Sequence, residues 1–346
     1  MKILHLLKSD KFSGAENVVC QIISMFDLNK DVEFVYCSRD GLIKEALLER
    51  NIRFNLMKSF SISEIKRVIK EEKPDIIHAH DMAASFYGAI CCGNIPLISH
   101  IHNNNFDSRG LSLKSLLYMF AAKKSKHIFW VSNSSFEGYK FHNFFKKKSS
   151  ILYNIINIDL LKEKMNKDEN TYKYDIVYIG RLTYQKNPQR LLKVLEKVLE
   201  IRPQTKIAII GTGDLEEEIK NEISSNNKLE NVDFLGFKNN PYKILSDSKL
   251  MLMTSRWEGT PMCALEAMSL GVPIVSTPVD GMRDLVENGE TGYLSDSDDE
   301  LIKDICEILD NKRLHDNLSD NSIFKITKIM NSNLYKNEIL KYYLSE

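Results

Sequence analysis

Six cysteines are scattered through the sequence without a Cys-x-x-Cys pair, and no histidine stands at metal-ligand spacing from them. A zinc site or a disulfide framework is therefore not expected, and the thiols read as reduced and mostly buried. No apolar run approaches the roughly 18 residues that a membrane span needs. The opening MKILHLLKSDKF has too short an apolar stretch, and too early a lysine, for a secretory signal, so the chain is expected in the cytoplasm. Net charge is absent as well, 47 Lys and Arg balancing 47 Asp and Glu. A complete Gly-x-Gly-x-x-Gly fingerprint is also missing. SDKFSGAENVV does not supply it, and in IIGTGDLEEEI the last position is Glu216, which argues against a nicotinamide-dependent oxidoreductase. What remains is a chain of 346 residues, 43% apolar and 27% charged, with material for two globular domains.

The balanced charge is unevenly placed. Residues 1 to 170 hold 25 Lys/Arg against 19 Asp/Glu, and the rest hold 22 against 28. Most of the basic excess lies between Arg109 and Lys148, where nine basic residues accompany one acid, Glu137. Aromatic residues interleave with them: Tyr118, Phe120, Phe129, Trp130, Phe136, Tyr139, Phe141, Phe144 and Phe145. Two readings stand side by side. One is a solvated helix face over ordinary core aromatics. The other is a surface that rests on anionic lipid headgroups, each basic residue adding about 1 kcal/mol.

Short β-branched runs alternate with amphipathic segments of ten to fifteen residues, the pattern of βαβ units and parallel sheets. Strands are expected at 2–7, 33–38, 53–57, 75–80, 96–101, 127–132 and 150–154. The polar stretch Lys162 to Tyr174 lacks apolar periodicity and reads as a linker. The strand pattern then restarts at 175–180, 206–211, 232–236, 250–255 and 273–277. From Asp298 onward the chain reads as helices. The fold class is therefore α/β, with two Rossmann-like domains facing each other across a cleft. Their expected limits are 1–165 and 172–320, with a C-terminal helical segment, 321–346, packing back on the first domain.

In such sheets ligands sit beyond the carboxyl ends of the strands, and four stretches there carry chemistry. After the first strand, Ser13-Gly14-Ala15-Glu16 has capping-box spacing, with Ser13 as N-cap and Glu16 reaching back. Gly14 would let a ligand approach bare helix-start amides, which suit a phosphate. In GRLTYQKNPQRLL, Gly180 ends a strand, while Arg181 and Lys186 precede a helix starting near Pro188. Two cations at that end oppose the helix dipole and are better explained by an anion held between them than as ordinary surface residues, the alternative reading. Gly211 opens the third stretch, a Gly-x-Gly turn from strand to helix. In SRWEGTPMCALEAMSLGVPIVST, Thr260 is placed as N-cap and Pro261 at the first helical position, leaving the amides of Met262 and Cys263 for an anion. Glu258 and Glu266 border that anion site, one before the cap and one inside the helix. Carboxylates so placed grip hydroxyls, as an acid grips a ribose diol in dinucleotide folds. A nucleotide sugar offers hydroxyls on both sides of its diphosphate.

Together, Arg181 with Lys186 five residues later, the Glu258/Glu266 pair, SLGVPIVST and GMRDLVENGETGYL resemble family 4 of the retaining glycosyltransferases. The first-half stretches SGAENVV and SHIHN fit the same family, so the resemblance spans almost the whole chain. It implies the GT-B fold. It also implies that Arg181 and Lys186 bind the donor diphosphate, Glu266 the ribose hydroxyls, Glu258 the transferred sugar, and His102 that sugar from the first-domain side. The donor pocket implied comprises Gly14, Gly180, Gly211, Gly259, Thr260, Pro261, Met262 and Cys263 around those side chains. Phe237, just after the strand VDFLG, reads either as a contact to the base or as a buried aromatic. One departure is clear: where many relatives have Gly-Gly-x-x-Glu, this chain has Asp280 to Asp284, DGMRD.

The mechanism implied is front-face displacement, with cationic groups stabilising the departing nucleoside diphosphate. No metal or other cofactor is expected. The acids of SDSDDE, near Asp296, suit a helix N-terminus rather than manganese. The expected partners are a nucleotide-sugar donor, with uridine diphosphate as the default, and a glycan or lipid-linked glycan acceptor of the cell-surface polysaccharide type. Peripheral contact with an anionic membrane is part of this expectation, and nucleic acid is not. The alternatives are a nucleotide-sugar epimerase of the same fold and a non-catalytic sugar-nucleotide-binding module.

Overall fold

The computed structural model describes residues 1–12, 14–26, 31–102 and 109–344. It divides into two units. The first is Met1–Ile155 together with the C-terminal helix Ser332–Leu344, and the second is Ile156–Met330.

The first unit is built on a parallel sheet of β1 (Lys2–Leu6), β2 (Glu33–Arg39), β3 (Phe54–Met57), β4 (Ile76–His80), β5 (Leu97–Ile101), β6 (His127–Trp130) and β7 (Ser149–Ile151). Its order is β3-β2-β1-β4-β5-β6-β7. The second has β8 (Ile176–Ile179), β9 (Ile207–Ile210), β10 (Val232–Gly236), β11 (Leu250–Met253), β12 (Ile274–Ser276) and β13 (Gly292–Leu294), in the order β10-β9-β8-β11-β12-β13. In both sheets the strand order reverses beside the first strand, between β1 and β4 and between β8 and β11, and doubly wound sheets bind ligands at such a switch point. The inner strands are buried on both faces, which is why they read as nearly continuous apolar runs. Ile3, Leu4, Leu6 and Ile77 fill the first core, and Ile176, Ile207, Ile209, Leu250 and Leu252 the second.

All twelve stretches expected as strands are strands, often shorter at the carboxyl end, where the chain leaves the sheet to form loops. The thirteenth, β13, was not anticipated: three residues beginning at a glycine with φ +155° carry little periodicity. The expected linker is partly structured. Ile158–Asn166 is a helix, and the Asn157 side chain accepts the Leu160 N–H at its start. It packs on the helices Tyr242–Ser246 and Met262–Ser269, so the division between units falls after Ile155. The C-terminal region is likewise two helices. Lys312–Ile329 belongs to the second unit, and Ser332–Leu344 to the first. Tyr343 on the latter shares a 2.7 Å hydrogen bond with His78 Nδ1, while the Tyr342 ring lies 3.4 Å from that of His127. Three of the four acids of SDSDDE, Asp298, Asp299 and Glu300, lie in the first turn of Asp298–Asp310, where Ser297 accepts the Glu300 N–H; Asp296 precedes that cap. Asp298 there meets Arg190 at 2.7 Å.

Candidate active site

In the second unit the strand ends bring two pairs of loops into contact. A Cβ on Gly211, which has φ +143°, would stand 1.9 Å from the carbonyl oxygen of Gly180. One on Gly281 would stand 1.9 Å from that of Gly259. Glycine is required at both places by the close backbone approach. The loops after β8 and β9 are thereby pressed together, as are those after β11 and β12.

Between these loops lies a buried ion pair. Lys186 Nζ donates to Glu258 Oε1 at 2.6 Å, and Ser255 Oγ donates to the same oxygen at 2.5 Å. Burial disfavours the Lys186 ammonium, but the facing carboxylate outweighs it and holds the amine above its usual range. Asp280 Oδ2 accepts the Glu258 backbone N–H at 2.9 Å and fixes the loop that carries Glu258. Asp280 has φ +38°, a conformation that favours glycine. The DGMRD departure thus places a carboxylate at a strained position, where it anchors the residue beside Lys186.

Arg181 is exposed and donates to Gln185 Oε1 at 3.1 Å. Gln185 Nε2 in turn donates to the Trp257 carbonyl at 3.0 Å, tying the Arg181 loop to the Glu258 loop. An ammonium has three N–H donors, and among the described residues Glu258 is the one acceptor for that of Lys186.

The helix behind Glu258 begins one residue later than expected. It runs Met262–Ser269 with Pro261 as N-cap, so Thr260 is not the cap and Pro261 is not the first helical residue. Pro261 is extended, with ψ 124°, and its carbonyl accepts the Ala264 and Leu265 N–H groups. The correction leaves the free amides where they were expected: those of Met262 and Cys263 precede the first intrahelical donor. Gly259 and Thr260 are buried, and burial pushes the Cys263 thiol up to about 11. Glu266 accepts a hydrogen bond from Tyr242 Oη at 3.2 Å. Burial raises its carboxyl to about 7, against the opposing pull of Tyr242 and Lys164. Phe237 is 68% exposed, which removes its reading as a buried aromatic.

In the first unit, Gly14 is exposed at the start of the helix Gly14–Ser24, and Glu16 within it is buried. The Ser13 half of the proposed capping box lies outside the described residues, as does Asn103 of SHIHN. His102 is buried at the end of β5. Its backbone N–H donates to Asp81 Oδ1 at 2.9 Å, and its Nε2 lies 2.8 Å from His80 Nδ1. Burial lowers its imidazole to about 4, despite the opposing influence of Glu16. His80 and Asp81 also line a pocket of about 430 Å³ at the strand ends of this unit, with Glu16, Arg39 and Lys114 among its other residues.

Sequence reasoning thus missed Ser255, Asp280, Gln185, Tyr242 and His80. Of these, Asp280 carried a signal, since an acid where relatives have glycine calls for a local reason.

Residues 12–160 match the family model Glycosyltransferase Family 4, and residues 160–323 match Glycosyl transferases group 1. An uncharacterized glycosyltransferase of Methanocaldococcus jannaschii is 30% identical over 287 residues, covering 74% of this chain and 71% of that protein. The chain belongs to this glycosyltransferase family. The UDP-Gal:alpha-D-GlcNAc-diphosphoundecaprenol alpha-1,3-galactosyltransferase of Escherichia coli is 26% identical to this transferase, covering 91% of this chain and 89% of that one. Anabaena HepE, solved in complex with UDP and glucose, superposes with a TM-score of 0.87 at 21% identity, over 100% of both chains. The fold of the transferase is GT-B.

Glu266 gives a pH test of this site. Its folded carboxyl titrates near 7 against an ordinary 4.5, so the folded state holds the extra proton and stability falls as pH rises between those values. Glu266→Gln, neutral throughout, is expected to melt higher than the wild type at pH 8 and to lose that advantage by pH 5. Melting curves without ligand check it, and an advantage independent of pH would contradict the burial of this carboxyl.

Proposed function

We propose that this glycosyltransferase is a retaining, metal-independent enzyme that moves a sugar from a UDP-sugar to a lipid-linked glycan of the cell-surface polysaccharide type. The observation that carries the reading is the buried Lys186–Glu258 pair standing between exposed Arg181 and the unpaired amides of Met262 and Cys263. Arg181 is near enough to Lys186 to act on its charge, and Lys186 and Glu258 both act on Cys263 at the helix start, so a diphosphate bound there meets all of these positive groups, while the two carboxylates take hydroxyl contacts. As the glycosyl bond breaks, charge grows on the departing diphosphate, and donors already in place stabilise it without reorganising. Lys186 supplies two ammonium protons beyond the one held by Glu258, Arg181 a guanidinium fork, and the helix start its amides. These groups do the charge-neutralising work that a divalent cation does elsewhere.

Ionised Glu266 grips the ribose hydroxyls, Glu258 a hydroxyl of the transferred sugar, and exposed Phe237 offers its ring to the base. The acceptor hydroxyl attacks on the face that the diphosphate leaves, and the departing phosphate oxygen takes its proton. Configuration at the anomeric carbon is retained. UDP-Gal and alpha-D-GlcNAc-diphosphoundecaprenol are the substrates named for the Escherichia coli relative, which supports this choice of donor and acceptor class.

The basic stretch supports membrane contact, though on fewer residues than its sequence promised. Tyr118, Phe129, Trp130 and Tyr139 are wholly buried and belong to the core. Lys148 is also committed: its ammonium donates to the Lys123 and Ser125 carbonyls at 2.9 and 2.7 Å, at the end of the helix Leu113–Lys124. Exposed instead are Leu111 (76%), Leu113 (73%) and Phe144 (80%), with Leu116 and Phe120 beside Lys123 and Lys124. Apolar side chains among lysines suit the boundary between headgroups and acyl chains.

Arg181→Ala is expected to lower turnover about 100-fold, as losing an oxyanion donor does, with a smaller loss in donor affinity. Transfer assays with a UDP-sugar panel check it. Unchanged turnover would remove the diphosphate assignment, and conversion of the donor without acceptor would point to an epimerase.

For the membrane, glutamate at positions 123, 124, 146 and 147 together is expected to release the protein from anionic vesicles and to slow transfer to a lipid-linked acceptor. Raising salt should release the wild type too, since attraction fades over a Debye length of about 10 Å at 0.1 M. Equal vesicle binding by variant and wild type would refute the contact.

A further inference from the structure

Five histidines lie on one face of the first sheet: His5 on β1, His78 and His80 on β4, His100 on β5 and His102 at its end. Register sets His5 beside His78 and His80 beside His100. All five are buried. Three of them form a line. His5 Nδ1 lies 2.8 Å from His80 Nε2, and His80 Nδ1 lies 2.8 Å from His102 Nε2. Both ring pairs have centroids 5.1 Å apart at an interplanar angle of 25°. That separation is what two rings joined end to end by a nitrogen-to-nitrogen hydrogen bond require, so the facing nitrogens aim at each other.

The spacing excludes a metal between those nitrogens. Imidazole nitrogens on one tetrahedral zinc, each at about 2.0–2.1 Å, stand roughly 3.4 Å apart and converge on the ion. Opposed lone pairs 2.8 Å apart leave room for a proton.

Burial lowers all three imidazoles, His5 to about 3 and His102 to about 4, so each is neutral at pH 7. A neutral imidazole has one N–H and one bare nitrogen. His80, bonded through both nitrogens, therefore donates to one neighbour and accepts from the other. The whole line has two states. Either every ring carries its proton on Nδ1 and the free N–H emerges at His102, or every ring carries it on Nε2 and the free N–H emerges at His5.

The two ends are not equivalent. His5 Nε2 has no hydrogen-bond partner among the described residues, and the His5 ring packs against Phe34 at 5.5 Å. An N–H stranded there would forfeit its hydration, whereas a bare nitrogen has no proton to strand. At the other end His102 Nδ1 also has no hydrogen-bond partner among the described residues, but there the Glu16 carboxylate and the Asn154 side chain both favour a proton on the ring, whereas burial and the neighbouring imidazole both oppose one at His5.

We propose that His5 and His80 are positioning residues that lock His102 in its Nδ1–H tautomer, so that His102 meets the transferred sugar as a hydrogen-bond donor. The second half rests on the reading of His102 as a sugar contact; the first rests on the geometry of the line. Loss of the order set by His5 should cost turnover about 10-fold, the lower range found when a residue that orients a functional imidazole is removed.

Long-range proton–nitrogen correlation spectra of the full chain with ¹⁵N-labelled histidine test both halves. At pH 7 the protonated nitrogen of His5, His80 and His102 is expected to be Nδ1, against the Nε2–H form that free histidine prefers. His5→Asn keeps a donor at the δ position and should preserve this pattern with most of the turnover. His5→Asp can only accept, and should flip His80 and His102 to Nε2–H. Adding the UDP-sugar that most raises the melting temperature should shift His102 Nδ1. An Nε2–H His102 in the wild type overturns the lock, whatever the variants do. An Nδ1–H His102 that ignores the bound donor upholds the lock and overturns the sugar contact.

Discussion

The buried contact between Lys186 and Glu258 is the constraint around which the second unit's strand ends are arranged. Taking two charges out of water costs several kcal/mol each, and their attraction offsets this only with good geometry and further hydrogen bonds. Those bonds are supplied locally. Ser255 donates to the same Glu258 oxygen, and Asp280 holds the Glu258 amide. Thr254 Oγ1 donates to the Asn187 carbonyl at 3.1 Å, and Thr277 Oγ1 to the Ser255 carbonyl at 2.7 Å. The loops after β8, β11 and β12 are therefore cross-linked at the point where the pair sits. The glycine contact at Gly281 lets the last two of them close.

A pair of this kind is poor as a stabiliser and well suited to a site. Replacing buried ion pairs with apolar residues often leaves proteins no less stable, so retaining one calls for a reason outside stability. Here the ammonium is held charged, in a fixed direction, beside helix amides that have no partner among the described residues. The first unit shows the same economy in neutral form. His5, His80 and His102 bond one another and His78 bonds Tyr343, while both nitrogens of His100 have no partner among the described residues, so ring orientation is set by the sheet register rather than by solvent.

Strand positions and the two-unit division were legible because parallel strands buried on both faces leave continuous apolar runs. VDFLG and KIAIIG could be little else. Arg181, Lys186, Glu258 and Glu266 were legible because charge beside apolar helix and strand ends needs an explanation. β13 was not, since its three residues start at a glycine in an unusual conformation. The linker reading, Lys162 to Tyr174, failed over residues 162–166 because the helix Ile158–Asn166 buries little apolar surface: Leu161 is its one buried residue. Asp280, Ser255 and the histidine line depend on contacts between strands distant in sequence, and no local pattern encodes a cross-strand partner. The Arg109–Lys148 aromatics show the converse limit. Composition counted them, but only the packing separates Trp130 in the core from Phe144 on the surface.

If the Lys186–Glu258 pair is set to receive a diphosphate, affinity for the phosphates should depend on Lys186 and affinity for the nucleoside should not. Calorimetric titration of wild type and Lys186→Ala with UDP and with uridine separates the two. The wild type is expected to prefer UDP by at least about 100-fold, a difference of about 2.7 kcal/mol, in line with charge-assisted hydrogen bonds to phosphate. In Lys186→Ala that preference should shrink at least about tenfold, while uridine binds as before. An equal preference for UDP over uridine in both proteins would contradict a role for this ion pair in holding the donor.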